Sequence, residues 1–134
     1  MLQIRHGVFE TNSSSTHSIT IVPKDEFEKW VDGEVYFNDN SWEVKNRNRW
    51  LTKEEAIAGV LGCDYPLTND DGRDYTYKEL DEMSNEDLGE ILSEYSIYSF
   101  YRYSENYDGI EYYDVKYITE HGDEIVAFGL YGTD

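Results

Sequence analysis

A chain of 134 residues with 11 basic and 29 acidic side chains carries a net charge of −18. Such a surface repels nucleic acid and anionic lipid and attracts basic protein surfaces. Hydrophobic content is only 39%, but 13 Tyr, 5 Phe and 3 Trp supply the large apolar areas that a disordered acidic chain lacks.

The length predicts one domain. The single cysteine, Cys63, excludes an intrachain disulfide and a thiolate zinc cluster within one chain. No apolar run reaches the length of a membrane span, and no charged n-region with an apolar h-region opens the chain. The charge is uneven. Residues 1–63 are net −3, residues 64–94 are net −9 and residues 95–134 are net −6, so half of the excess lies in the middle stretch.

In chain order, residues 2–9 predict a short strand or extended arm broken by Gly7. Residues 10–18, ETNSSSTHS, all carry side-chain hydrogen-bonding groups and run straight into the apolar 19–22. One reading makes Glu10, Asn12, Ser14 and His17 a polar pocket or a phosphate-binding loop. The other makes the run a turn whose side chains satisfy backbone groups, with Asn12 and His17 bonded to backbone or to each other. The turn is the expectation, because Ser/Thr/Asn clusters are common turn chemistry.

The string 5–18, RHGVFETNSSSTHS, resembles the opening of a widespread group of small phage and prophage proteins. They begin with a similar R-x-G-V-F-E-T-N-S-S-S-T-H-S run and then diverge. The match covers about the first twenty residues. The resemblance implies a mobile-element origin rather than an activity, and that favours a host-takeover or anti-defence protein over a housekeeping enzyme.

Residues 19–22 predict a strand. Residues 23–32 predict a helix, with Pro23 in its first turn, Phe27, Trp30 and Val31 at helical spacing, and Gly33 beyond its end. Val35, Tyr36 and Phe37 predict a strand. Lys45, Arg47, Arg49 and Lys53 form the basic cluster, between and just after Trp42 and Trp50. Interleaved aromatic and basic residues can stack bases and hold phosphates, but in so acidic a chain a salt-bridged seam to the acidic part is the expectation.

Thr52 and Glu55 make a capping box for a helix turning Ala56, Ile57, Val60 and Leu61 inward and ending at Gly62. Residues 64–74 read as an acidic loop in which no EF-hand register closes. Thr76 opens a short helix and Ser84 a longer one. On the longer helix Leu88, Ile91, Leu92 and Tyr95 form one buried stripe, opposite Glu86, Asp87, Glu90 and Glu94. Residues 97–104, 110–119 and 124–131 are Tyr-, Ile-, Val- and Phe-rich runs separated by turn residues, including Asp108-Gly109 and His121-Gly122. They predict a three-stranded antiparallel meander.

Catalytic chemistry has little to stand on. Ser13, Ser14, Ser15 and His17 supply nucleophile and base types without a G-x-S-x-G context. The three histidines, His6, His17 and His121, are scattered, and no phosphate-binding glycine motif occurs.

The expectation is an α+β single domain, with short amphipathic helices packing a mainly antiparallel sheet. Cofactors and metals are not expected, nor is direct contact with nucleic acid or membrane. The expected function is a phage-type inhibitor in the host cytoplasm, acting as an acidic nucleic-acid mimic of the anti-CRISPR kind. Asp70, Asp71, Asp74, Asp81, Glu82, Glu86, Asp87 and Glu90 would engage a basic surface of a nucleic-acid-handling host protein, with a CRISPR effector nuclease as the first target. The alternative is a small enzyme or nucleotide-binding protein built on Glu10, Asn12, Ser14 and His17.

Overall fold

The computed structural model describes residues 15–39, 44–63, 67–105 and 110–133. The expected arm at 2–9, the candidates Glu10, Asn12 and Ser14, and the Asp108-Gly109 turn lie outside the described residues. His17 enters as a strand position.

Among the described residues the order is β1 (Ser15–His17), β2 (Thr20–Pro23), α1 (Lys24–Val31), β3 (Tyr36–Asn38), β4 (Trp50–Leu51) and α2 (Lys53–Leu61). Then come α3 (Tyr77–Glu82), α4 (Asn85–Ser93), β5 (Ile97–Tyr98), α5 (Phe100–Ser104), β6 (Ile110–Ile118) and β7 (Glu124–Thr133). Every strand pair among the described residues is antiparallel, and helices accompany both sheets, so the fold class is α+β. The chain forms two compact units. One gathers the described residues up to Glu28 with those from Tyr103 onward, and the other is Lys29–Arg102.

In the first unit β7 is the central strand. β6 lies along one side of it, from Ile110 opposite Gly132 to Ile118 opposite Glu124. β1 and β2 lie along the other side in a single register, from Ser15 opposite Thr133 to Pro23 opposite Ile125. The β6–β7 turn closes as expected, with Gly122 at φ +88° and Thr119 N–H donating to the Asp123 carbonyl at 2.8 Å. Only glycine takes that backbone conformation without steric cost.

Period-two alternation puts Val22, Val126 and Phe128 on one face, and all three are buried. Phe27 of α1 packs on Phe128 with ring centroids 5.8 Å apart. Tyr103 meets the same ring edge-on at 5.7 Å.

The strand that runs from β1 into β2 is interrupted at Ser18. Ser18 N–H donates to the Leu130 carbonyl at 2.9 Å, while Leu130 N–H donates to Ser18 Oγ at 3.3 Å. The Ser18 carbonyl is thereby released from the ladder and accepts from the Tyr113 hydroxyl. Tyr113 belongs to β6, so its side chain reaches across Gly129 of β7, its register partner. Burial, with the nearby Tyr103 phenol as a second cause, pushes the Tyr113 hydroxyl well above the ordinary tyrosine range.

Two expectations need correction here. The run 97–104 is not the first strand of a meander: Ile97–Tyr98 pairs with β3, and Phe100–Ser104 is helical. Ser99 Oγ accepts the Arg102 N–H at 3.1 Å, which anchors the first turn of that helix. The third strand beside the C-terminal hairpin is instead the N-terminal β1–β2 segment. Pro23 also ends β2 rather than opening α1.

In the second unit, β4, β3 and β5 form a small sheet with β3 central. Leu51, Ala56, Ile57, Val60, Leu80, Leu88, Leu92, Tyr95 and Ile97 make the main core. Both capping boxes form. Thr52 Oγ1 accepts from Glu55 N–H at 3.2 Å and Glu55 Oε1 accepts from Thr52 N–H at 2.9 Å, and Thr76 and Glu79 repeat the arrangement. Leu61, expected to point inward, is 37% exposed as the last residue of α2, while Ile57 and Val60 are buried.

Leu88 in this unit and Phe128 in the first are both fully buried. Leu88→Ala and Phe128→Ala should each cost about 2–5 kcal/mol in urea unfolding, the usual loss on emptying a packed position. A loss below about 0.5 kcal/mol would place that residue on the surface.

Candidate functional site

The eight carboxylates expected to form an interaction surface lie on one loop and two helices of the second unit, and all eight are exposed. The loop is a small hairpin. Thr68 bridges Asp74, Tyr75 N–H donates to the Leu67 carbonyl at 3.0 Å, and Gly72 N–H donates to the Asn69 carbonyl at 2.9 Å. Asn69 Oδ1 accepts from the Asp71 and Arg73 N–H groups at 2.9 and 3.1 Å. This asparagine side chain replaces a backbone turn partner, which lets Asp70, Asp71 and Asp74 stand in solvent.

The two helix starts fix the rest. In α3, Thr76 and Glu79 satisfy each other's backbone N–H groups. Those bonds from Thr76 hold the Glu79 carboxyl below the usual range. α3 buries Leu80 and leaves Asp81 and Glu82 exposed. In α4, Ser84 Oγ accepts from Asp87 N–H at 3.1 Å. This helix buries Leu88, Gly89 and Leu92 and turns out Glu86, Asp87 and Glu90. Glu86 and Asp87 sit in its first turn, where the helix dipole favours negative charge.

Two of the eight carboxylates are engaged. Lys53 Nζ lies 3.6 Å from the Asp81 carboxylate and donates to the Asp81 carbonyl at 2.8 Å. Arg73 lies 3.8 Å from Asp71, and both side chains are mostly exposed, so that pair contributes little. Asp70, Asp74, Glu82, Glu86, Asp87 and Glu90 make no ion pair among the described residues. Residues 67–94 as a whole hold ten carboxylates against Arg73 and Lys78.

Tyr77 belongs beside these carboxylates, although no apolar spacing pattern marks it. It is 41% exposed beside this surface. Its phenol is pushed up by desolvation first and then by the charges of Glu54 and Asp81. Its position one residue after the Thr76 cap was the available signal, since that places it in the first, outward-facing turn of α3.

The basic cluster behaves differently from the acidic loop. Asn38 is buried, and its Nδ2 donates to the Asn46 and Asn48 carbonyls at 2.8 and 2.9 Å. The segment carrying Lys45, Arg47 and Arg49 is therefore held from below, with those three residues exposed. Lys53 provides the link to the acidic stretch, through Asp81.

The eight carboxylates stand in solvent on the loop and the two helices. They leave helix packing untouched, because the buried stripe lies on the other side of α4. Among the described residues no helix is long and apolar enough to cross a membrane, and no group of three or more His, Cys, Asp or Glu is placed to hold a metal. No family model, curated protein or solved structure matches the chain.

Proposed function

We propose that the protein is a phage-type inhibitor that binds a nucleic-acid-handling host protein in the host cytoplasm. It presents Asp70, Asp71, Asp74, Asp81, Glu82, Glu86, Asp87 and Glu90 to a basic surface built for phosphates. The observation that carries this reading is the state of those carboxylates: all are exposed, and six of them have no cationic partner among the described residues. An exposed carboxylate without a cation in its own chain keeps its full charge for a partner, and the exposed pairs of Asp71 and Asp81 are weak enough to be given up. The resemblance of residues 5–18 to phage proteins supports the host-directed role, and a CRISPR effector nuclease is the first target to test.

Charge steers association more than it sets contact energy, so the test reads the on-rate. Converting Asp81, Glu82, Glu86 and Glu90 together to Lys should slow association about tenfold or more, within the range that electrostatic steering supplies. The helices should stay folded, because none of the four belongs to the Leu80–Leu88–Leu92 core. Converting Glu26 and Glu28 to Lys should change the on-rate far less. Equal effects from the two sets would reduce the charge to a whole-molecule property and remove the acidic helices as the site.

A further inference from the structure

The outer side of β6 offers a second interaction surface, independent of the acidic helices. Both backbone groups of Leu130 point toward the β1–β2 side: its carbonyl accepts from Ser18 N–H and its N–H donates to Ser18 Oγ. In a strand the N–H and C=O of one residue point the same way, and successive residues alternate. The odd-numbered residues of β7 therefore turn toward β6. Their register partners Tyr113, Val115 and Tyr117 direct their backbone groups into the ladder with Gly129, Ala127 and Ile125. Asp114, Lys116 and Ile118 turn theirs outward, where they meet no strand among the described residues. All three are exposed, Ile118 at 73%.

Such an edge is a template for another strand. We propose that it pairs with a second copy of this chain, antiparallel, about a two-fold axis at Val115. In that register Asp114 faces the partner's Lys116 and Lys116 faces the partner's Asp114. Tyr113 faces the partner's Tyr117, and Ile118 faces the partner's Tyr112.

The alternation allows the register to move only in steps that keep outward-pointing residues opposite each other. The neighbouring two-fold registers put Asp114 against its own copy or Lys116 against its own copy. The register at Val115 is thus the one in which both charges are complemented, and like charges directly opposite each other are destabilising. The contact is isologous, so it closes at two chains.

Two chains of net −18 repel, so the dimer should strengthen as salt rises. That is the reverse of the salt response expected for binding through the acidic helices, and the experiment requires no target protein.

Sedimentation velocity of the whole chain, over a concentration series at about 0.05 M and 0.5 M salt, should show twice the monomer mass, more fully at high salt. Asp114→Lys alone and Lys116→Asp alone each place like charges at both pairs, and each should be monomeric. An equimolar mixture of these two variants should recover the dimer, because every charged pair is then opposite again. Lys116→Pro should also be monomeric with an unchanged circular dichroism spectrum, since it removes an outward N–H that the β6–β7 ladder does not use. Three results would overturn the proposal: a monomer under every condition, a wild-type dimer that survives Lys116→Pro, or a mixture that forms no heterodimer.

Discussion

Gly129→Ala is expected to lose about 3 kcal/mol of stability, the upper end of the range for forcing atoms into a filled position. A Cβ on residue 129 would collide with the Ser18 carbonyl oxygen and lie 2.7 Å from both the Ser18 carbonyl carbon and the Tyr113 hydroxyl. Two of those neighbours are backbone, and the third is a hydroxyl held in a hydrogen bond, so the site cannot relax by rotating a side chain. Relief requires the N-terminal strand to part from β7 at Ser18, which breaks the bonds that Ser18 makes with Leu130 and Tyr113. Thermal unfolding should fall by roughly 10 °C or more. Tyr113→Phe, which leaves the Ser18 carbonyl without this donor, should cost only about 1 kcal/mol. An alanine variant as stable as the parent would mean that the Ser18 carbonyl does not lie over Gly129.

Trp30→Ala should cost about 3–5 kcal/mol, as for other large aromatic truncations in packed cores. Trp30 has no exposed surface. Its indole lies against Phe37, Trp50 and Phe100, with ring centroids at 5.6, 5.7 and 5.2 Å, the last edge-on. Its Nε1–H donates to the Tyr98 carbonyl at 3.0 Å, fixing β5 to the helix that carries the ring. Trp30→Phe keeps most of the ring and removes the donor to a part-buried carbonyl, so it should cost about 1–3 kcal/mol. The urea midpoints of the two variants separate ring packing from the hydrogen bond. Equal midpoints would mean that the rings around Trp30 contribute nothing.

Features encoded within a few residues were legible in the sequence. Thr52–Glu55 and Thr76–Glu79 form both of their reciprocal bonds because the capping box depends only on spacing along one turn. The β6–β7 turn was legible for the same reason, since His121-Gly122 supplies the left-handed backbone that the turn needs. Residues 97–104 were misread because aromatic residues serve strands and helices alike. The deciding cue was Ser99, whose hydroxyl caps Arg102 three residues on. The pairing of residues 15–23 with β7 was out of reach, because nothing local announces a partner more than a hundred residues away. Its one trace is Gly129, a glycine between the apolar Phe128 and Leu130. The acidity of residues 64–94 was legible as composition. That Lys53 engages Asp81, and none of Glu82, Glu86 and Glu90 among the described residues, follows from packing α2 beside α3, which no spacing rule contains.

The acidic surface is the centre of this account, and competition with nucleic acid is its most direct measurement. With the target bound, duplex DNA or guide RNA should displace this protein, and this protein should displace the nucleic acid. The affinity should fall as salt rises through about 0.1 M, where the Debye length is roughly 10 Å and dissolved ions screen exposed charges from one another beyond that distance. A target that holds this protein and its nucleic acid together, with an affinity indifferent to salt, would contradict mimicry.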